Sequence, residues 1–159
     1  MKRSSNSNTS TGWREWVALP DLGIDWLKAK IDTGARTSSL HAFDVEEFTR
    51  KGEDWVRFTV YPWQDIRDDW VVHEARIADR RAVRSSSGHT EHRLVVKMRL
   101  RLVGVEVDAE VTLTNRDEMG FRMLVGREAL RQGFVVDPAR SFVGGRAPRD
   151  ARRRNRGRL

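Results

Sequence analysis

Between Val105 and Leu113 every second residue is apolar: Val105, Val107, Ala109, Val111 and Leu113 alternate with Glu106, Asp108, Glu110 and Thr112. Strict alternation is the period of a pleated strand with one buried face. The same period runs through 55–60, where Trp55, Arg57 and Thr59 alternate with Val56, Phe58 and Val60. Further strands are expected at 13–19, closed by Pro20, at 24–31, and at 40–48 with mixed alternation. Residues 70–83 and 93–103 read as two long strands joined by the hairpin tip Ser85-Ser86-Ser87-Gly88. Residues 134–136 read as a last core strand before Asp137-Pro138. One short helix fits, over 127–132, opened by Gly126 and ended by Gly133. The expectation is a single all-β domain over 13–145 with one short helix after Gly126.

The chain carries 30 Lys and Arg against 23 Asp and Glu, a net charge of +7. The location of that charge matters more than its size. Residues 146–159 hold seven arginines and one acid, and Lys2 and Arg3 add two more positive charges, which leaves 11–145 at −1. A basic tail can bind RNA or ribosomes electrostatically. We read 146–159 instead as a solvated, disordered end, and 1–12 as a disordered N-terminal segment. There is no cysteine, hence no disulfide framework, thiolate zinc site or cysteine nucleophile. No apolar run approaches the roughly eighteen residues of a membrane span. After its basic start the N-terminus has Ser, Asn and Thr where a signal peptide needs an apolar stretch, so a cytoplasmic protein is expected.

Two segments resemble each other. Gly23-Ile24-Asp25-Trp26 followed by Ala29-Lys30-Ile31 matches Gly104-Val105-Glu106-Val107 followed by Ala109-Glu110-Val111, with a gap of one residue. This is the pattern of one hairpin-plus-loop unit used twice. Only the first copy runs into Asp32-Thr33-Gly34-Ala35; the second runs into Thr114-Asn115-Arg116. An Asp-Thr-Gly after a strand can be simple turn punctuation. Two further segments weigh against that. Met123-Leu124-Val125-Gly126-Arg127 is an apolar strand running into Gly-Arg and a short helix, and a long hairpin with a glycine-bearing tip, 84–93, lies between the two.

A catalytic loop, a flap-like hairpin and an apolar-Gly-Arg-helix segment, in that order, resemble the retropepsin family of aspartic peptidases. Val83-Arg84-Ser85-Ser86-x-Gly88, Glu91-x-Arg93, Asn115-Arg116, Met119 and Val136-Asp137-Pro138 are similar to the retropepsin-like family known as ATP-dependent zinc proteases. Its members are often encoded beside ATP-grasp glutamate ligases, and the resemblance covers nearly all of 13–145. It implies a closed β-barrel or sandwich that works as a two-fold homodimer around the Asp-Thr-Gly loops. Asp32, Thr33 and Gly34 would be catalytic. Peptide hydrolysis by this route needs two carboxylates sharing one proton, and a single Asp-Thr-Gly supplies only one per chain. Gly34 lets the backbone approach a carboxylate and aim an amide at it; Thr33, by the resemblance, bonds across the dimer axis. Retropepsins commonly carry an acid after Asp-Thr-Gly-Ala that pairs with the arginine of the Gly-Arg segment. Here that position is Arg36, so Arg127 must find another partner.

Arg36, Arg84, Ser86, Gly88, Arg93 and Arg116 are the expected substrate-binding residues. Several arginines converging on one cleft suit an anionic peptide. The family implies an oligo-glutamate tail as that peptide and a glutamate ligase as companion; the residues themselves suggest no cofactor, since there is no Gly-x-x-x-x-Gly-Lys cradle for ATP. The rival reading is a zinc peptidase through His89, Glu91 and His92, although no His-Glu-x-x-His pattern is present. Ser85, Ser86 and Ser87 lack a nucleophile-elbow pattern. A non-catalytic, basic, β-rich binding module is the third reading. Its aromatic candidates are weak: Trp16, Trp26 and Trp55 fall in core patterns, while Trp63 and Trp70 are placed to rim the cleft or a partner surface.

Overall fold

The protein is described by a computed structural model over residues 8–63, 68–84, 87–115 and 120–156. The strands are, in order, β1 (Thr9–Thr11), β2 (Arg14–Leu19), β3 (Ile24–Ile31), β4 (Ser38–His41), β5 (Phe43–Arg50), β6 (Glu53–Val60), β7 (Val71–Arg76), β8 (Asp79–Arg84), β9 (Thr90–Leu102), β10 (Val105–Thr114), β11 (Met123–Val125) and β12 (Phe134–Val136), and all but β1 fall in stretches expected to be extended. Among the described residues two α-helices, α1 (Arg127–Leu130) and α2 (Arg149–Asn155), and a 3-10 turn at Pro20–Leu22 accompany the strands.

Six strands close a barrel in the order β9-β10-β4-β11-β3-β2, returning to β9 through Ala18 opposite Arg101. That order is unchanged when β2, β3 and β4 are exchanged for β9, β10 and β11. Each antiparallel hairpin, β2–β3 or β9–β10, feeds a loop and then a short strand lying parallel to the other hairpin: β4 beside β10, and β11 beside β3. The sequence repeat is therefore an architectural one. Gly23 (φ 69°) and Gly104 (φ 73°) play the same part in it. Each turns its hairpin just before the second strand, in a backbone conformation that suits a residue without Cβ.

Alternation delivers the core as expected. Leu27, Ala29 and Ile31 of β3, Met98, Leu100 and Leu102 of β9, and Val107 to Leu113 of β10 point inward, while Lys97, Arg99 and Arg101 face solvent. Each large aliphatic side chain so buried contributes about 1.5–3 kcal/mol. The sheet β5-β6-β7 lies over one side, and Val56, Phe58 and Val60 of β6 enter the same core.

Two long strand expectations divide in the structure. The stretch 40–48 breaks at Ala42 into β4 and β5, which belong to different sheets. The stretch 70–83 breaks at Ile77-Ala78: β7 pairs with β6, whereas β8 pairs with β9. Ile77 N donates to Asp54 O and Ala78 N to Val95 O, so the chain changes partner within two residues. Residues of one parity are half-buried on either side of the change, Val71, His73, Ala75 and Ile77 before it and Arg81 and Val83 after it, with Asp79 exposed between them. Alternation therefore cannot reveal it.

Order extends past both expected limits. Residues 9–11 are not a loose leader: β1 pairs in parallel with β12, and Thr11 is buried. Nor is 146–159 a disordered tail throughout, since 149–155 form α2. Ala147 and Ala151, four residues apart, pack on Trp16 and Trp63 beside Trp26 and Phe142, and Arg154 pairs with Asp69. Trp63 is thus covered rather than placed at the cleft rim, while Trp70 is exposed.

Glu15 anchors this C-terminal segment to the barrel. Its carboxylate is fully buried and accepts bonds from Gly12 N (2.6 Å), Val143 N (3.0 Å), Gly144 N (3.0 Å) and Thr11 Oγ1 (3.3 Å). Glu15→Gln would turn an amide nitrogen toward donors that need an acceptor. It is expected to lower stability by about 1–3 kcal/mol. A denaturant midpoint equal to that of wild type would show that this carboxylate does not fasten the segment.

Candidate active site

Asp32 follows β3 directly. Its N–H donates to Val125 O (2.9 Å), continuing the parallel β3–β11 ladder by one residue before the chain turns. Gly34 N then donates to Asp32 Oδ1 (2.8 Å). A Cβ on Gly34 would lie 3.1 Å from that oxygen, so a side chain would crowd the carboxylate that the amide orients. Asp32 is half-buried, and Thr33 and Gly34 are exposed at the loop tip.

The segment opening α1 clamps the loop from behind. Arg127 N donates to Ala35 O (2.7 Å), Glu128 N to Arg36 O (2.9 Å), and Gly126 N to Ser38 Oγ (3.1 Å). Thr112 Oγ1 reaches Ser38 O from β10 (3.2 Å). Arg127, deprived of an acid at position 36, donates from Nη1 to Thr33 O (3.0 Å). The guanidinium that the resemblance would pair with a side chain holds the loop by its backbone instead.

A cavity of about 570 Å³ opens beside the loop. Asp32, Gly34 and Arg36 line it from one side, Arg81, Arg84 and Arg93 of the β8–β9 hairpin from the other, with Ser39, Thr112 and Leu124 at its base. Of the expected substrate-binding residues, Arg36, Arg84 and Arg93 therefore line one cavity together with Asp32. Gly88 (φ 86°) stands at the hairpin tip, outside the cavity lining. Nothing lies within 4 Å of where its Cβ would be, so backbone conformation alone asks for glycine there. Ser86 and Arg116 lie outside the described residues.

The arginines are not equivalent. Arg36 and Arg84 are exposed and make no ion pair among the described residues. Arg93 is paired with Glu91 (3.0 Å). Arg81, which sequence reading did not single out, is held by Asp79 (2.7 Å) and Glu110 (2.5 Å), bonds that raise its pKa above the usual guanidinium range. Its signal was the acid two residues earlier on the same strand face. Since Arg93 engages Glu91, the His89, Glu91 and His92 set is not poised as a ligand cluster. No three of His, Asp and Glu gather as a metal-binding group among the described residues.

Sequence reading also missed a buried polar chain. Arg122 Nη1 donates to His41 Nδ1 (2.8 Å) and Nη2 to Trp63 O (3.0 Å). With Nδ1 accepting, the imidazole proton sits on Nε2 and is donated to Asn115 O (2.8 Å). Asn115 follows β10 as Asp32 follows β3, so this chain holds the first residue after the second hairpin of the repeat. The only sequence cue was an arginine inside the apolar run 121–125.

Gly126 is where the clamp is most sensitive. A Cβ there would meet Thr37 C and O at 2.8 Å and Ala35 O at 2.9 Å, all backbone atoms that cannot swing aside. Gly126→Val is expected to displace 35–37 and with it Asp32. Any activity that depends on Asp32 should fall at least about a hundredfold while circular dichroism still reports the sheets. Full activity in a folded Gly126→Val protein would dissociate the clamp from the site.

Comparison with known proteins agrees with this geometry. A crystal structure of a Legionella pneumophila subsp. pneumophila protein of unknown function matches at a TM-score of 0.71 and 30% identity, covering 88% of this chain and 99% of that one. A protein of Shewanella pealeana named probable alpha-L-glutamate ligase is 45% identical over 138 residues, 87% of this chain but 30% of that protein. Its namesake in Parasynechococcus marenigrum is 46% identical over 127 residues, 80% of this chain and 27% of that protein. The chain thus spans less than a third of these curated relatives. A family profile described as retropepsin-like aspartic endopeptidase RimB matches residues 10–147. The Asp-Thr-Gly loop at the end of a barrel strand, the hairpin beside it and this match over nearly the whole folded region make the chain a member of the RimB-like family of retropepsin-like aspartic endopeptidases.

Proposed function

We propose that this chain is one protomer of an aspartic endopeptidase. Two copies of Asp32, brought together across a two-fold axis, would hydrolyse peptide bonds in acidic, glutamate-rich peptides or protein tails. The observation that carries this reading is the setting of Asp32: a half-exposed carboxylate on a rigidly clamped surface loop, one oxygen held by Gly34 N, beside a cavity walled by the β8–β9 hairpin.

One such carboxylate is half of the chemistry. Two within a few ångströms cannot both ionise, so one proton is shared between them. The ionised member takes a proton from a water as its oxygen attacks the carbonyl carbon, while the protonated member donates to the carbonyl oxygen. Collapse of the tetrahedral intermediate breaks the C–N bond, and the departing amine takes a proton from the dyad. A two-fold axis at the exposed tip, Thr33-Gly34, would bring the second carboxylate from an identical loop.

The substrate class follows from charge. Arg36 and Arg84 stand exposed at the cavity, and a dimer presents each of them twice. A run of glutamates could engage several guanidinium groups together, whereas a neutral peptide could not. The name of the curated relatives supports the same class. We take the ligase activity to belong to the part of those proteins that this chain does not match, and the peptidase to act on what such a ligase builds.

The test is cleavage of a glutamate oligomer against a glutamine oligomer of equal length. Strong preference for the glutamate oligomer is expected, weakening with added salt. Arg36→Glu should reduce kcat/KM on it roughly tenfold, as expected for exposed charge contacts counted twice. Equal rates on the two peptides would remove acidic substrates from the account.

A further inference from the structure

Arg93 stands between two cavities. On one side is the site of Asp32; on the other is a larger cavity of about 760 Å³, with Ala42, Leu94 and Leu113 in its wall and Glu47 and Arg80 across from it. The Arg93 side chain is only 10% exposed, and among the described residues its one partner is Glu91, two positions away on the same face of β9. The pair is tethered too closely for the best geometry. Arg93 Nε donates to Glu91 Oε2 (3.1 Å), and Nη2 lies 3.0 Å from that same oxygen, an arrangement short of two parallel bonds to two oxygens. Arg81 differs, because Asp79 and Glu110 hold it together and Thr37 Oγ1 accepts from it as well. Removing one acid there leaves another.

From this geometry we infer that Glu91 is an internal stand-in for a substrate carboxylate: it occupies Arg93 in the empty site and yields it to an acidic side chain entering from either cavity. The inference rests on the acidic-peptide reading and deepens it. An incoming glutamate is not constrained by the chain and can take both parallel bonds. Glu91, at 30% exposure, can turn to water when displaced, so the exchange strands no charge in a buried place. A neutral side chain offers Arg93 no replacement and leaves the pair closed. The Glu91–Arg93 pair is thus a specificity filter: it lowers affinity for every acidic ligand somewhat and denies the position to neutral ones.

The experiment measures binding of a glutamate oligomer and a glutamine oligomer by calorimetry, on full-length protein carrying Asp32→Asn to prevent turnover. Wild-type cleavage is measured in parallel. Adding Glu91→Gln, which keeps shape and removes the competing charge, should tighten glutamate-oligomer binding about three- to tenfold and leave glutamine-oligomer binding unchanged. The gain should vanish when Arg93→Gln is added, since the effect acts through that side chain. Thermal melting checks that each variant is folded, and Glu91→Ser serves if Glu91→Gln is not. Unchanged or weaker glutamate binding in Glu91→Gln, equal effects on both oligomers, or no measurable binding at all would overturn the inference. A wild type that binds with this Glu91 dependence but does not cleave would refute the peptidase reading and leave the exchange standing.

Discussion

Gly126 sits 2.8–2.9 Å, measured from where its Cβ would be, from the backbone of Thr37 and Ala35. Much of the site depends on that approach. Only a residue without a side chain lets the end of β11 lie so close to the loop after β3, and only there can the first amides of α1 meet Ala35 O and Arg36 O. The interlocked barrel imposes the contact. Because β11 is parallel to β3 and antiparallel to β4, it runs through the gap between the strand that delivers Asp32 and the strand that leaves it. A turn of six residues, 32–37, is thereby fixed on both flanks, and Arg127 fixes its tip through Thr33 O. The carboxylate needs no buried partner of its own to be oriented, and so stays available at the surface.

The same architecture explains how one repeat came to hold two different loops. Topology treats 32–37 and 115–122 alike, since each links a long barrel strand to a short one. Chemistry treats them differently. The first presents a carboxylate to a cavity, whereas the second is tied inward through Asn115 O to His41 and Arg122. The barrel thus carries one half-buried carboxylate at the loop after β3, one of the two acids that the proposed mechanism needs. The division of the arginines follows a related logic. Those set into the hairpin wall, Arg81 and Arg93, come with carboxylates of their own, while those at the exposed edge, Arg36 and Arg84, have none among the described residues.

What could be read from the residues follows from which physical signals are local. Strand alternation is local, and it located β3, β6, β9 and β10 closely. The Asp-Thr-Gly loop and the Gly-Arg helix start were legible as short motifs, and with them the convergence of Arg36, Arg84 and Arg93 on Asp32. The exchange of hydrogen-bond partner at Ile77-Ala78 was not, because side-chain parity carries no information about which strand lies alongside. Helix α2 was hidden under its arginines; the spacing of Ala147, Ala151 and Asn155, all buried, was the available cue. Glu15 and Arg122 were missed for the opposite reason. A charged residue in a strand, as Glu15, or just before one, as Arg122, reads as solvent-facing, and its burial becomes sensible only once backbone amides, or a histidine and a carbonyl, from distant segments surround it.

The central claim is that the working site is shared between two copies of Asp32. Mixing tests it most directly. Wild type and Asp32→Asn protein, unfolded together in equal amounts and refolded, assort at random into dimers, and only wild-type pairs retain both carboxylates. The account predicts that activity falls to about one quarter of that of the same total protein refolded as wild type alone. A site complete within one chain would leave about one half, and that result would contradict the shared dyad.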